Sequence, residues 1–395
     1  MHDDLADGAE PSPETILTHA GRDPDAQFGF INTPVFRGST VLFKTLADLD
    51  KPTQPFTYGR AGNPSTAGVE AIITELEGAA GTTLVPSGLA AITVAMLSTL
   101  KAGDEALVTD SAYEPVRTFC DKFLSGLGIT TRYYDPRIGL GISKLIGEKT
   151  RLIWAESPGS LTFEIQDLPA IVAAARPRGV RVMVDNSWAT PLYYHPLAMG
   201  ADVVIHAATK MFVGHSDALV GTVSAIEAVF PDVLQARRLL GMNVAGDDAY
   251  LTARGLRTLA VRMKEHSARS IAMAAWLESQ PGVEQVYHPA LPSHPDHALF
   301  ERDFTGSGSL FSVRLSPGPR SALAAMLDGM KLFSMGFSWG GYESLAVPSS
   351  LARNRTAVPW AAPGQMLRLH IGFEGFDDLK ADLAAGLERY RAGLR

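Results

Sequence analysis

Val184-Asp185-Asn186-Ser187-Trp188 and, further on, His206-Ala207-Ala208-Thr209-Lys210 decide how this chain is read. Asp185 closes the apolar run Val180-Arg181-Val182-Met183-Val184. Lys210 stands just past a second run, Ala201-Asp202-Val203-Val204-Ile205. Two buried strands are therefore predicted, each bringing one ionisable group to its C-terminal end, the edge of an open α/β sheet where ligands bind. An amine facing a carboxylate there suits pyridoxal 5'-phosphate. The lysine would condense with the cofactor's aldehyde, and the aspartate would keep its pyridine nitrogen protonated. Taken singly, a lysine is more often solvated and a strand-end aspartate is more often a helix cap.

Such a cofactor also needs a phosphate cradle, a flat partner for its ring and a cation for the substrate carboxylate. The cradle is expected at Pro86-Ser87-Gly88-Leu89, between the short strand Thr83-Leu84-Val85 and an apolar helix running from Leu89 to Leu100. Amides at a helix N-terminus bind anions, and Gly88 allows close backbone approach; the plainer alternative is a turn capped by Ser87. Tyr113, just past the strand Ala106-Leu107-Val108-Thr109, is placed to stack on a ring. Arg368, in Met-Leu-Arg-Leu-His-Ile-Gly, alternates with apolar neighbours at strand period, so its planar fork projects from one face and suits a carboxylate.

Those stretches resemble the Cys/Met-metabolism family of pyridoxal-phosphate enzymes. Further matches lie at Gly214-His215-Ser216-Asp217, Glu14-Thr15-Ile16-Leu17-Thr18-His19, Tyr58-Gly59-Arg60, Ser87-Gly88-Leu89-Ala90-Ala91 and Glu156-Ser157-Pro158, so the similarity covers nearly the whole chain. The resemblance implies the α/β fold called type I of the pyridoxal-phosphate-dependent transferases, like aspartate aminotransferase. That fold has a mostly parallel large-domain sheet and a smaller α+β C-terminal domain. It implies that Lys210 carries the cofactor and moves protons, that Asp185 meets the pyridine nitrogen and that Tyr113 stacks on the ring. Ser87, Gly88, Leu89 and Thr209 would hold the phosphate. Tyr58 and Arg60 would reach the phosphate of an adjacent subunit, with Tyr58 also touching substrate, in a homotetramer built as a dimer of dimers. Arg368, Ser338 and Trp339 would bind substrate.

Within the family, Phe337-Ser338-Trp339-Gly340-Gly341-Tyr342-Glu343-Ser344 resembles the cystathionine β-lyase branch; γ-synthases and γ-lyases usually show Ser-Leu-Gly-Gly there. Thr40-Val41-Leu42-Phe43, Ala112-Tyr113-Glu114-Pro115 and Ala207 point the same way. Phe337 departs from the Tyr of some β-lyases and removes a hydroxyl from the substrate rim. The activity implied is β-elimination of L-cystathionine to homocysteine, pyruvate and ammonia, in transsulfuration and methionine biosynthesis. The alternatives are a γ-lyase, γ-synthase or sulfhydrylase, or a broader cysteine/cystine C–S lyase. Outside that class stands a non-catalytic binding protein of the same fold, which intact Lys210, Asp185, Tyr113 and Arg368 argue against.

Composition narrows the rest. The chain has 395 residues, enough for two domains, and 46% hydrophobic content without an apolar run long enough to cross a bilayer. Its polar, acidic N-terminus resembles neither a secretory signal nor a transit peptide, so a cytoplasmic enzyme is expected. One cysteine, Cys120, excludes an intrachain disulfide framework and a cysteine zinc cluster, and reads as a small buried thiol. A net charge of −7 gives no support for nucleic-acid binding.

Residues 1–13 read as a flexible lead-in. Residues up to about 60 carry few regular signals, and the family resemblance implies that they form an arm to a neighbouring subunit. Residues 61–255 form the cofactor-binding α/β domain, with a helix from Glu70 to Glu77 after the turn Gly62-Asn63-Pro64. Residues 256–395 form an α+β domain opening with a helix near Thr258 to Leu277 and closing with one from Asp377 to Arg391. His215, Ser216 and Asp217 are too close in sequence to converge as a hydrolase triad. His206 raises a metal site, as do His288, His294 and His297, but the latter three sit among Pro289, Pro292 and Pro295 and read as solvated loop residues. The glycine-rich pieces around Gly306 and Gly336 lack the spacing of a dinucleotide site.

Overall fold

The apolar runs form a seven-stranded sheet because short β-branched stretches end at Gly, Asp and Ser turns and must bury both faces. The computed structural model describes residues 11–351 and 355–394. The strands are β1 (Gly81–Val85), β2 (Glu105–Thr109), β3 (Thr130–Tyr134), β4 (Thr150–Glu156), β5 (Arg181–Asp185), β6 (Val203–His206) and β7 (Gly221–Ala225), in the order β1-β7-β6-β5-β4-β2-β3. The pairings β2–β3, β2–β4, β4–β5 and β5–β6 are parallel, and only β7 runs against its neighbours.

Side chains alternate between two cores, as strand geometry requires. Leu152, Trp154 and Met183 enter one core with the helix Gly88–Leu97; Ile153, Ala155, Val182 and Val184 enter the other with the helix Leu168–Ala175. Helices on both faces leave only the strand ends free for chemistry. A second, antiparallel sheet of β8 (Val283–Tyr287), β9 (Leu310–Leu315), β10 (Leu345–Ser349) and β11 (Gln365–His370) has the order β10-β11-β9-β8. Leu367 and Leu369 of β11 are buried against the helices Arg320–Leu327 and Phe376–Ala392, which turns Arg368 to the opposite face.

Several expectations are corrected. The flexible lead-in over residues 1–13 lies almost wholly outside the described residues. A helix, Pro13–His19, starts at its end, with the Ser12 hydroxyl accepting from the Thr15 amide. The helix expected from Glu70 begins earlier, at Pro64, because Asn63 is its cap and accepts from the amides of Ser65 and Thr66 at 2.9 and 3.1 Å. His288 and His294 are buried, not solvated. Nδ1 of His288 accepts from the Ala290 amide and Nε2 faces the Ser270 hydroxyl, so the ring is neutral; burial lowers it to about 3. The proline-bracketed loop folds inward with the His288 ring packed on Trp188 and Phe311. No group of three or more metal-ligating side chains is found among the described residues, and no helix there is long and apolar enough to cross a membrane.

Candidate active site

A cavity of about 570 Å³ opens where the C-terminal ends of the large-sheet strands meet the small sheet. It is lined by Ser87, Gly88, Leu89, Tyr113, Asp185, Thr209, Lys210, Ser338, Trp339 and Arg368. Ten of the twelve residues singled out from the sequence thus share one space. Tyr58 and Arg60 do not line it: Tyr58 is half exposed and packs on the Arg60 guanidinium, which donates to the carbonyl of Arg238.

Lys210 follows β6 on a turn and reaches toward the small-sheet side. Its Nζ donates to Ser338 Oγ at 2.6 Å and lies 5.5 Å from the centre of the Trp339 ring. Burial and the Arg368 guanidinium lower its pKa to about 8, against the opposing pull of Asp185. The neutral amine is therefore far better populated near neutral pH than that of an ordinary lysine, as a nucleophile and proton carrier need. Ser338 adopts φ +86°, costly for a non-glycine residue, and is held there from two directions: its hydroxyl accepts from Lys210, and its carbonyl accepts from Arg368 Nη2 at 3.2 Å.

Asp185 has a neighbour the sequence did not single out. Parallel pairing sets Glu156, the last residue of β4, directly beside Asp185, the last residue of β5. Burial pushes both carboxyls up, and the Asp185 charge raises Glu156 further, well above its ordinary range. The Ser187 amide, donating to Asp185 Oδ1 at 2.9 Å, and the charges of His206 and Lys210 favour the ionised form of Asp185. Glu156 accepts the Tyr113 amide at 2.7 Å and so fixes the start of the segment that carries the phenol. Burial, then Glu156, raise the Tyr113 pKa, which keeps the phenol protonated.

The residues present fit pyridoxal phosphate. Ser87 Oγ is engaged as a helix cap, accepting from the Ala90 amide at 3.1 Å, while the amides of Gly88 and Leu89 donate to no acceptor among the described residues. They form an anion site at the N-terminus of a ten-residue helix. A Cβ on Gly88 would stand 2.6 Å from that of Ala207, so only glycine lets this turn approach the segment leading to Lys210. Thr209 is more committed than expected, its hydroxyl accepting from the Val220 amide at 2.9 Å. The set (free amides, an amine of lowered pKa, a buried carboxylate and an arginine) is the one the cofactor and an amino-acid carboxylate require.

Residues that sequence reasoning gave no role also line the site: Glu156, Ser187, Asp110 and Arg355. Glu156 lay inside a recognised motif and Ser187 between two quoted residues. Asp110 and Arg355 carried no signal, since what places them is contact between distant segments.

The profile of the family described as Cys/Met metabolism PLP-dependent enzyme matches residues 14–388. A cystathionine beta-lyase of Salmonella typhimurium is 42% identical, over 95% of this chain and 98% of the relative. An L-alanine/L-glutamate racemase of Wolbachia pipientis wMel is 36% identical, over 95% and 97%. Among solved structures, the cystathionine gamma synthase of Xanthomonas oryzae pv. oryzae, in complex with aminoacrylate and cysteine, superposes with TM-score 0.91 at 32% identity, covering 98% of this chain and all of that one. With its lysine and aspartate at the strand ends of a type I fold, the chain belongs to the pyridoxal-phosphate-dependent enzymes of cysteine and methionine metabolism.

Proposed function

We propose that the protein is a cytoplasmic carbon–sulfur lyase that cleaves L-cystathionine by β-elimination, giving homocysteine, pyruvate and ammonia. The observation that carries this reading is the closure of Ser338-Trp339 over the Lys210 amine, with an aromatic ring where the γ-acting branches present a smaller side chain. The similarity to the Salmonella β-lyase over nearly both chains supports it. Bound pyridoxal phosphate supplies an aldehyde for the lysine and a ring that accepts the electron pair released at Cα.

The chain's own groups do the rest. The Gly88 and Leu89 amides would hold the phosphate, Asp185 the pyridine nitrogen and Arg368 the substrate α-carboxylate. Lys210 would take the Cα proton. The protonated Tyr113 phenol is available to the departing sulfur. Trp339 walls the thioether from water with an apolar face. A γ-elimination would ask the same lysine for a further proton at Cβ, so the parts are shared and the products decide. Purified protein supplied with pyridoxal phosphate and L-cystathionine is expected to yield pyruvate and homocysteine in equal amounts. 2-Oxobutyrate with cysteine would instead establish γ-elimination.

The same proposal makes each site shared between subunits of a homotetramer assembled as a dimer of dimers, with residues 1–60 as the reaching arm, 61–255 the cofactor domain and 256–395 the C-terminal domain. Tyr58 and Arg60 do not line their own cavity, and the arm carries large apolar side chains in solvent: Phe28 is 97% exposed, Leu42 83% and Phe30 72%. Large apolar side chains left in solvent along one segment suit a surface that a second copy covers.

A further inference from the structure

The cavity holds a second arginine. Arg355 lines it together with Pro158, Gly159, Ser160, Leu161 and Phe163, the segment that leaves β4, whereas Arg368 enters from β11. Arg355 is only 7% exposed. Its guanidinium is anchored by one corner: Nη2 donates to the Ser160 carbonyl at 3.2 Å and to the Thr162 hydroxyl, and lies 3.5 Å from the Glu164 carboxylate. Every bond described for Arg355 uses Nη2, so Nε and Nη1 remain as donors for a ligand in the cavity it lines.

The backbone behind it is fixed with unusual care. The amides of Thr356, Ala357 and Val358 all donate to the Asp110 carboxylate at 2.9 to 3.1 Å, and Arg117 Nη1 donates to the same group at 2.8 Å. These bonds outweigh burial and hold Asp110 below its ordinary range. A buried carboxylate thus clamps the strap that presents Arg355, and the guanidinium needs little ordering to receive an anion.

We propose that Arg355 is a second-carboxylate subsite of this cavity: it recognises the distal carboxylate of an amino-acid thioether whose α-carboxylate is held by Arg368. The inference rests on the reading of the cavity as a C–S lyase site, and it names the substrate class that site selects, thioethers with a carboxylate at each end. A cysteine thioether ending in an alkyl group would satisfy Arg368 and leave Arg355 without its partner.

Two substrates that differ only in that group make the test: S-(2-carboxyethyl)-L-cysteine and S-ethyl-L-cysteine, with L-cystathionine beside them, on holoenzyme of wild type, Arg355→Gln and Arg355→Lys. Arg355→Gln is expected to raise KM for the carboxyethyl compound and for L-cystathionine roughly 10–100-fold, with kcat within about twofold and S-ethyl-L-cysteine unaffected. Arg355→Lys keeps the charge, loses the fork and falls between. A parallel loss on both analogues would show that Arg355 merely anchors the strap, and no loss on either would show that it meets no substrate; each overturns the proposal. Wild type that ignores L-cystathionine but separates the two analogues through Arg355 overturns the substrate reading and upholds the subsite. No turnover of any of the three overturns both.

Discussion

Lys210 shows how three influences on one amine are weighed. Removal from water disfavours the ammonium, the Arg368 charge disfavours it further, and Asp185 favours it; the first two win and leave the pKa at about 8. In cofactor-free protein, acylation of Lys210 by an amine reagent, followed by mass spectrometry, should therefore be half-maximal near pH 8, while exposed lysines lag to higher pH. The sign at each neighbour is fixed. Asp185→Asn removes a stabiliser of the ammonium and moves the midpoint down; Arg368→Leu removes a repulsion and moves it up. A midpoint near the ordinary 10.5 in wild type would mean that the amine is solvated and not poised. Lys210 and Asp185 were legible in the sequence because Asp185 ends a strand and Lys210 follows one closely, and an apolar run announces each strand. Glu156 was not, because its meaning lies in the register that seats it beside Asp185.

Elements matter here chiefly through where they end. The helix Gly88–Leu97 brings its free amides to the cavity only because nothing separates its first residue from Ala207. Ala207 in turn donates to Ser187 Oγ at 2.7 Å, and the Ser187 amide holds Asp185, so this helix start, the lysine turn and the aspartate form one connected unit. Gly88→Ala inserts a methyl against backbone-anchored atoms that have little room to move. It should weaken retention of pyridoxal phosphate by roughly tenfold or more in equilibrium dialysis while the far-ultraviolet circular dichroism stays that of wild type. Unchanged retention would separate the close approach from cofactor binding. The strands were read from apolar runs alone, since a strand buried on both faces has little else in its sequence. Helix starts were read late where a polar first turn hid them: Pro64 to Gly68 contains Ser65 and Thr66, whose value lies in capping bonds rather than periodicity. The burial of His288 and His294 escaped because proline content marks a loop without saying which way it folds.

At the scale of the molecule, the proposed assembly has each chain complete the site of another. The cavity gathers a lysine, two arginines and the anion-binding amides, yet Tyr58 and Arg60, which the family resemblance assigns to the phosphate, stand outside it on an arm studded with exposed Phe28, Phe30 and Leu42. Burying those side chains in water-free contact is worth about 1.5–3 kcal/mol each, ample reason for a second copy to cover them. If arm and cavity belong to different copies, the two defects are separable. Lys210→Ala destroys a subunit's own cavity, and Arg60→Ala spoils the cavity of its neighbour. Each homogeneous variant should be nearly inactive. After the two are mixed in equal amounts, dissociated and reassembled, half the dimers pair one of each, and in these one site has both an intact lysine and an intact arginine. Recovery of about a quarter of wild-type activity is the expected result. A mixture that stays as inactive as its parents, or a monomer that is fully active in sedimentation-matched fractions, would place Arg60 in the service of its own chain. The shared-site assembly would then have to be abandoned.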